Sequence, residues 1–215
     1  MIQLTRTGIV TDADQIVQLR EEFARTQCVV LPQLLAPELL RFLQRYLDAA
    51  EWYPRGDFTQ EGWEFAKELA VRGTDLAIHT LLVRLNSTRL FEVMREITGC
   101  PLIGNFSGRI YRMLPDSEHY DSWHGDVDKH KLIGLSINLS SGVYEGGRFL
   151  LRERRTERVI GEVANTGFGD GQLFRVAPHL QHYVTPVTGT VAKTACAGWF
   201  RSQPSYRAML EGKEI

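Results

Sequence analysis

The chain has 215 residues, 43% of them hydrophobic, with 25 Lys and Arg against 26 Asp and Glu. That length suits one domain with a full core, and a formal net charge of -1 argues against a dedicated nucleic-acid binder while leaving room for a local basic patch, so no nucleic-acid partner is expected. No basic-then-apolar leader and no membrane-length apolar run is present, and Cys28, Cys100 and Cys196 are too few and too scattered for a disulfide framework or a zinc pattern, so a cytoplasmic protein with buried thiols and no membrane partner is expected.

Ile2 to Val10 alternates loosely and reads as a first short strand. Asp12 has the form of a helix cap, and Ile16, Leu19 and Phe23 share one face of a helix expected over about 12 to 25. Cys28 to Leu31 is a compact apolar run stopped by Pro32. Pro37 then opens a helix along which Leu39, Leu43 and Leu47 stack, with Leu40 and Tyr46 widening the stripe. Between Trp52 and Thr80 the pattern blurs. Trp52, Tyr53, Phe58, Trp63 and Phe65 mix with charges, only Glu61 to Arg72 reads as helical, and the segment fits either plain packing or a lid over a substrate. Ser87 caps a clearer helix carrying Leu90, Phe91, Met94 and Ile97, which ends at Gly99 with Pro101 beyond it.

From about residue 102 the chain turns to short strands, expected at 106–114, 132–140, 147–153, 157–163, 171–176, 182–187 and 191–201. Many short strands without intervening helices predict a mainly β fold, a sandwich or barrel with N-terminal helices laid against it. The organisation expected is one domain over 1–215, with 1–101 as mainly helical support and 102–215 as the β core.

His124 and Asp126 lie two apart, so on extended backbone their side chains leave the same face while Gly125 turns away. With His182 arriving from a distant strand they would place two imidazoles and one carboxylate on one side of a metal. That donor set suits non-haem Fe(II), which needs open positions; zinc uses the same ligand types, but its usual His-Glu-x-x-His helix is absent. His179 is the rival to His182, which is preferred because it opens the strand that follows. His79, His119 and His130 have no partner at ligand spacing and read as surface or loop residues.

His124-x-Asp126, Glu145-Gly146-Gly147, Gly169-Asp170, His182-x-Val184-x-Pro186-Val187, Lys193 and Gly198-Trp199-Phe200 follow one another across roughly the C-terminal half. In this the sequence resembles the Fe(II)- and 2-oxoglutarate-dependent oxygenases, in the branch that looks like the prolyl 4-hydroxylases. The resemblance implies a double-stranded β-helix, a cupin-like jelly roll, in which His124, Asp126 and His182 hold Fe(II). It also implies 2-oxoglutarate as co-substrate, O₂ as oxidant, and hydroxylation of a C–H bond of a small molecule with release of succinate and CO₂.

Lys193 would then pair with the far carboxylate of the co-substrate, because a charge buried without a partner is strongly disfavoured and this lysine stands alone among Val191, Ala192, Thr194, Ala195 and Cys196. Tyr111 shares a strand face with Arg109 and Met113 and resembles the family tyrosine that hydrogen-bonds a co-substrate carboxylate. Asn138, on the polar side of a strand opposite Leu135, Ile137 and Leu139, is a candidate pocket residue. Arg109, Arg148 and Arg201 lie on or beside expected strands, and an arginine fork suits a carboxylate or phosphate, which suggests an anionic small-molecule substrate. The alternative is a cupin-like protein that binds a metal or ligand without turnover, since a fold does not fix a function.

Overall fold

The structure is a computed structural model describing residues 1–58, 64–71, 76–164 and 167–203. Two short strands, β1 (Gln3–Leu4) and β2 (Ile9–Val10), pair around a turn in which the Thr5 hydroxyl accepts from the Gly8 amide. The break in the loose alternation of residues 2–10 is therefore a hairpin and not one strand. Helix α1 (Ala13–Thr26) starts where Asp12 accepts hydrogen bonds from the Asp14 and Gln15 amides, and it buries Ile16, Leu19 and Phe23. Strand β3 (Cys28–Leu31), helix α2 (Pro37–Ala49), strands β4 (Trp52–Phe58) and β5 (Glu64–Val71), and helices α3 (Leu76–Leu85) and α4 (Thr88–Thr98) complete the first half. Gly99 closes α4 at φ 65°, while Ser87 stands at its N-terminus with its hydroxyl turned back to the Arg84 carbonyl, so the expected cap bond is not made.

The second half is strand after strand: β6 (Asn105–Met113), β7 (Lys131–Asn138), β8 (Glu145–Gly146), β9 (Phe149–Glu153), β10 (Val159–Val163), β11 (Gly171–Arg175), β12 (Leu180–Val184), β13 (Val187–Thr188) and β14 (Lys193–Arg201). A seven-stranded sheet runs β3-β11-β7-β14-β6-β5-β4, and its paired registers are all antiparallel. A second sheet, β10-β9-β12, packs against its β3–β11 side through Cys28, Phe149, Leu151, Phe174 and Leu180.

Because strand side chains alternate, the large sheet has two different faces. One carries Ile110, Ile133, Ile137, Leu173, Cys196 and Phe200, and the stripes of all four helices bury it. The other is the floor of a cavity. All three cysteines are free and buried.

A further expectation is corrected. Residues 64–71 are strand, not part of a helix over 61–72, of which 61–63 and 72 lie outside the described residues. The period is 2: Ala66, Glu68 and Ala70 are buried and alternate with half-buried Lys67, Leu69 and Val71, and the signal was hidden because a glutamate occupies the inner face. Within 1–101, expected as mainly helical support, β3 pairs with β11 and β5 with β6 in the same sheet as the C-terminal strands. Helix α3, which starts inside the blurred segment and runs past its end, was not foreseen.

Candidate metal centre

His182 and His124 are set side by side by backbone. Each donates its amide to the other's carbonyl, at 3.1 Å from His124 and 2.9 Å from His182, which pins the loop bearing His124 to β12. Their ring centroids lie 4.2 Å apart. Asp126 follows two residues on, and one ligand atom from each of the three lies within 4.8 Å of the others. His179 is outside this group, its carbonyl accepting from the Arg154 amide.

Each of the three is held in a ligating state. The Ser122 carbonyl, 2.6 Å from His124 Nδ1, can only accept, so Nδ1 donates to it and Nε2 is the nitrogen turned to a metal. Asp121 Oδ1 stands behind the same nitrogen at 3.3 Å. His182 is stacked on Phe149 at 5.6 Å and tilted against Phe174 at 4.8 Å. Burial there lowers its pKa to about 3, although Asp126 opposes the shift, so the imidazole is neutral. Burial also pushes Asp126 upward, but His182, Lys131, His124 and the Trp199 indole outweigh it and hold the carboxyl below its usual range. Trp199 Nε1 donates to Asp126 Oδ2 at 2.7 Å, and Lys131 Nζ lies 3.4 Å from Oδ1 and 3.6 Å above the Trp199 ring. Two imidazoles and an ionised carboxylate facing one point are a fitting donor set for a divalent ion.

The three border a cavity of about 310 Å³ between the two sheets. Its floor can be read in rows from the strand register. One row is Gln172, Ser136, Ala197 and Arg109, and in the next Tyr111 lines the cavity while Asn138 and Ala195 border a smaller pocket behind it. Small residues at the middle of each row leave the space, and large ones enclose it. Phe174 lies across Gly134, where a Cβ would meet the ring at 2.1 Å.

At the inner end sits Lys193. It is buried, and its ammonium donates to the Gly147 carbonyl at 2.8 Å. Gly146 and Gly147 both have positive φ, 68° and 58°, and a Cβ on Gly146 would lie 2.1 Å from the Pro186 carbonyl oxygen. Only glycine fits a turn that presents this carbonyl to the lysine, which gives the Glu-Gly-Gly motif a physical reason. Burial depresses the Lys193 pKa to about 8, with Asp121 opposing the shift. Tyr111 lines the cavity, and burial, then Glu68, drives its hydroxyl pKa upward.

The other sequence candidates divide. Arg109 lines the cavity and pairs at 2.5 Å with the buried Glu68 of β5. Asn138 faces a small pocket behind the main cavity, its amide bridging the Gly167 carbonyl and the Ser140 amide. Arg148 and Arg201 are corrections: neither lines the cavity, and each guanidinium faces an outer carboxylate, Glu162 at 3.2 Å and Asp128 at 3.1 Å. His119 lies in a loop, as expected of it, but is buried there with Nδ1 accepting from the Leu114 amide at 2.9 Å. The sequence reading passed over Asp121, Lys131, Glu68 and Gln172, which all line the cavity. Asp121, three before His124, and Lys131, at the start of a strand, carried a weak positional signal; Glu68 and Gln172 carried none.

No family model and no curated protein matches the chain. Solved structures do. An oxidoreductase of the 2OG-Fe(II) oxygenase family from Burkholderia pseudomallei is 17% identical over 95% of this chain and 98% of that one, with a TM-score of 0.63. A Pseudomonas putida prolyl-4-hydroxylase is 16% identical over 87% and 99%, at 0.61. The epimerase SnoN, solved with Fe³⁺, alpha ketoglutarate and nogalamycin RO, is 12% identical over 88% and 84%, at 0.60. The chain shares its fold with members of the 2OG-Fe(II) oxygenase family, prolyl 4-hydroxylases among them. Among the described residues no helix is long and apolar enough to cross a membrane.

Proposed function

We propose that the protein is an Fe(II)- and 2-oxoglutarate-dependent oxygenase, one domain with the double-stranded β-helix fold, that hydroxylates a C–H bond of a small anionic substrate and releases succinate and CO₂. The observation that carries this reading is the pairing of a His124–Asp126–His182 donor set, within 4.8 Å, with a buried lysine lining the same cavity. Bound to those three residues, the iron would supply the redox chemistry with O₂ and 2-oxoglutarate.

The chain's own residues have separable tasks. Ser122 holds the His124 tautomer, and Trp199 with Lys131 fixes the Asp126 carboxylate, so the donor set is in place before a metal arrives. Lys193 provides the cation that a buried dicarboxylate needs, with Tyr111 on the neighbouring strand. Phe149 and Phe174 wall the site against water. Arg109 and Lys131 are cations on the cavity wall suited to an anionic substrate group.

Anaerobic protein given Fe(II) and then 2-oxoglutarate should develop a weak visible charge-transfer band, and in air it should release succinate. Incubation with cell extract should then yield a product one oxygen heavier than its precursor. A protein that shows neither band nor succinate is a binding module, and the reading fails.

A further inference from the structure

Gln172 stands beside Ser136 across the β7–β11 ladder. It lines the main cavity and also the small pocket behind it, which Lys193 borders from β14. The residue is only 7% exposed, yet among the described residues its side-chain Nε2 has no hydrogen-bond partner. A buried amide donor left unpaired costs the full desolvation of that group, whereas an apolar side chain of similar shape would occupy the same space at no such cost. A glutamine here is therefore a poor choice for packing alone. Lys193, at the same place, spends one of its three donors on the Gly147 carbonyl. Two donors from different strands, one cationic and one neutral, thus border one pocket at the inner end of the cavity.

We propose that Gln172 is a second anchor for the far carboxylate of the 2-oxoacid co-substrate: Lys193 supplies the charge, and Gln172 supplies a neutral hydrogen bond that selects an acid carrying a carboxylate at that end. This assignment rests on the oxygenase reading, because it needs a dicarboxylate that reaches from the metal to Lys193.

The test uses two acids with the same head, 2-oxoglutarate and 2-oxobutyrate, the second lacking the far carboxylate. Each is titrated into the anaerobic Fe(II) protein while the charge-transfer band is followed, and the melting temperature of the metal-free protein is recorded. Gln172→Leu should weaken 2-oxoglutarate about ten- to a hundredfold, the worth of one hydrogen bond to a charged group, and leave 2-oxobutyrate within about twofold. The metal-free variant should melt no lower than the parent, because an unpaired donor has been removed. Gln172→Glu keeps the shape and sets a carboxylate against the ligand's, so it should weaken 2-oxoglutarate further; it also serves if the leucine variant does not fold. A leucine or glutamate variant that binds 2-oxoglutarate within about twofold of the parent, or loses both acids equally with a lower melting temperature, overturns the assignment and leaves the oxygenase reading standing. A parent protein that gives no band with either acid overturns both.

Discussion

The two ends of the cavity are built on opposite terms. At the metal end each donor already has a partner that orients it: the Ser122 carbonyl for His124, the Trp199 indole and Lys131 for Asp126, and the Phe149 and Phe174 rings for His182. At the inner end the polar groups are buried but under-used, with Lys193 on one carbonyl and the Gln172 amide donor without a partner among the described residues. The first end is preorganised and the second is held in reserve. Losing a ligand residue should therefore act on the metal, and losing an inner-end residue should act on the anion, with little crossover.

The largest effects belong to the metal end. Alanine at His124, Asp126 or His182 should each abolish turnover and weaken iron binding, whereas His179→Ala should keep its iron, since His179 lies outside the donor group. Iron content and succinate release on the four variants decide this. A His182→Ala protein that stays active beside a dead His179→Ala would reverse the ligand choice.

Next in size is the inner end. Lys193→Met leaves a buried carboxylate without its cation, a defect of about 3 to 5 kcal/mol, so affinity for 2-oxoglutarate should fall by roughly two to three and a half orders of magnitude. Iron binding should hardly change, and Lys193→Arg should restore part of the loss because it returns the charge on a longer, planar head. Binding within threefold of the parent in the methionine variant would take Lys193 out of the site.

Much of this was legible in the sequence, and the gaps have physical causes. Most strands from β6 to β14 were readable because turn residues punctuate apolar alternation, although β8 was read as a turn and β12 with β13 as one strand. His124 and Asp126 stood out because residues two apart on extended backbone share a face, and Lys193 because Val191, Ala192, Thr194, Ala195 and Cys196 around it carry no charge. The β4–β5 hairpin was not, because its inner face carries Glu68, and a charge at a buried position erases the period that a reader counts. The Glu68–Arg109 pair that resolves this charge joins residues 41 apart in sequence, and no local pattern reports it. Gln172 was missed for a related reason, since a glutamine beside Leu173 and Phe174 carries no chemistry until the cavity next to it is seen. Arg148 and Arg201 erred the other way: lying on or beside a strand says that a residue is near the sheet, not which side its long side chain takes.

A smaller effect separates support from ligation at the metal end. Trp199→Phe keeps an aromatic ring beneath Lys131 but removes the indole donor to Asp126, so iron affinity should weaken about ten- to a hundredfold. Affinity for 2-oxoglutarate, measured with iron saturating, should stay within a few fold. Equal losses of both ligands would mean that the two ends are not independent.

The smallest effect is one of pH, and it reads the inner end without mutation. Burial lowers the Lys193 pKa to about 8 in the free protein, so the ammonium that an anion needs is fully present below that value and is lost as pH rises through it. A bound carboxylate favours the charged form and raises the pKa again, so binding above pH 8 must first take up a proton. The dissociation constant for 2-oxoglutarate should be flat between pH 6.5 and 7.5 and then rise by up to about tenfold per pH unit. Of the groups facing Lys193, Asp121 favours the ammonium, while burial moves Tyr144 up to about 12 and Tyr111 further, so neither tyrosine changes charge in this window. Lys193→Arg provides the control, because a guanidinium stays charged throughout and should give a flat profile from a weaker starting affinity. Titrations at pH 7, 8 and 9 on both proteins separate the cases: a slope shared by the arginine variant would assign the titration to another group, and a flat profile in the parent would mean that the lysine keeps its proton through pH 9 despite its burial.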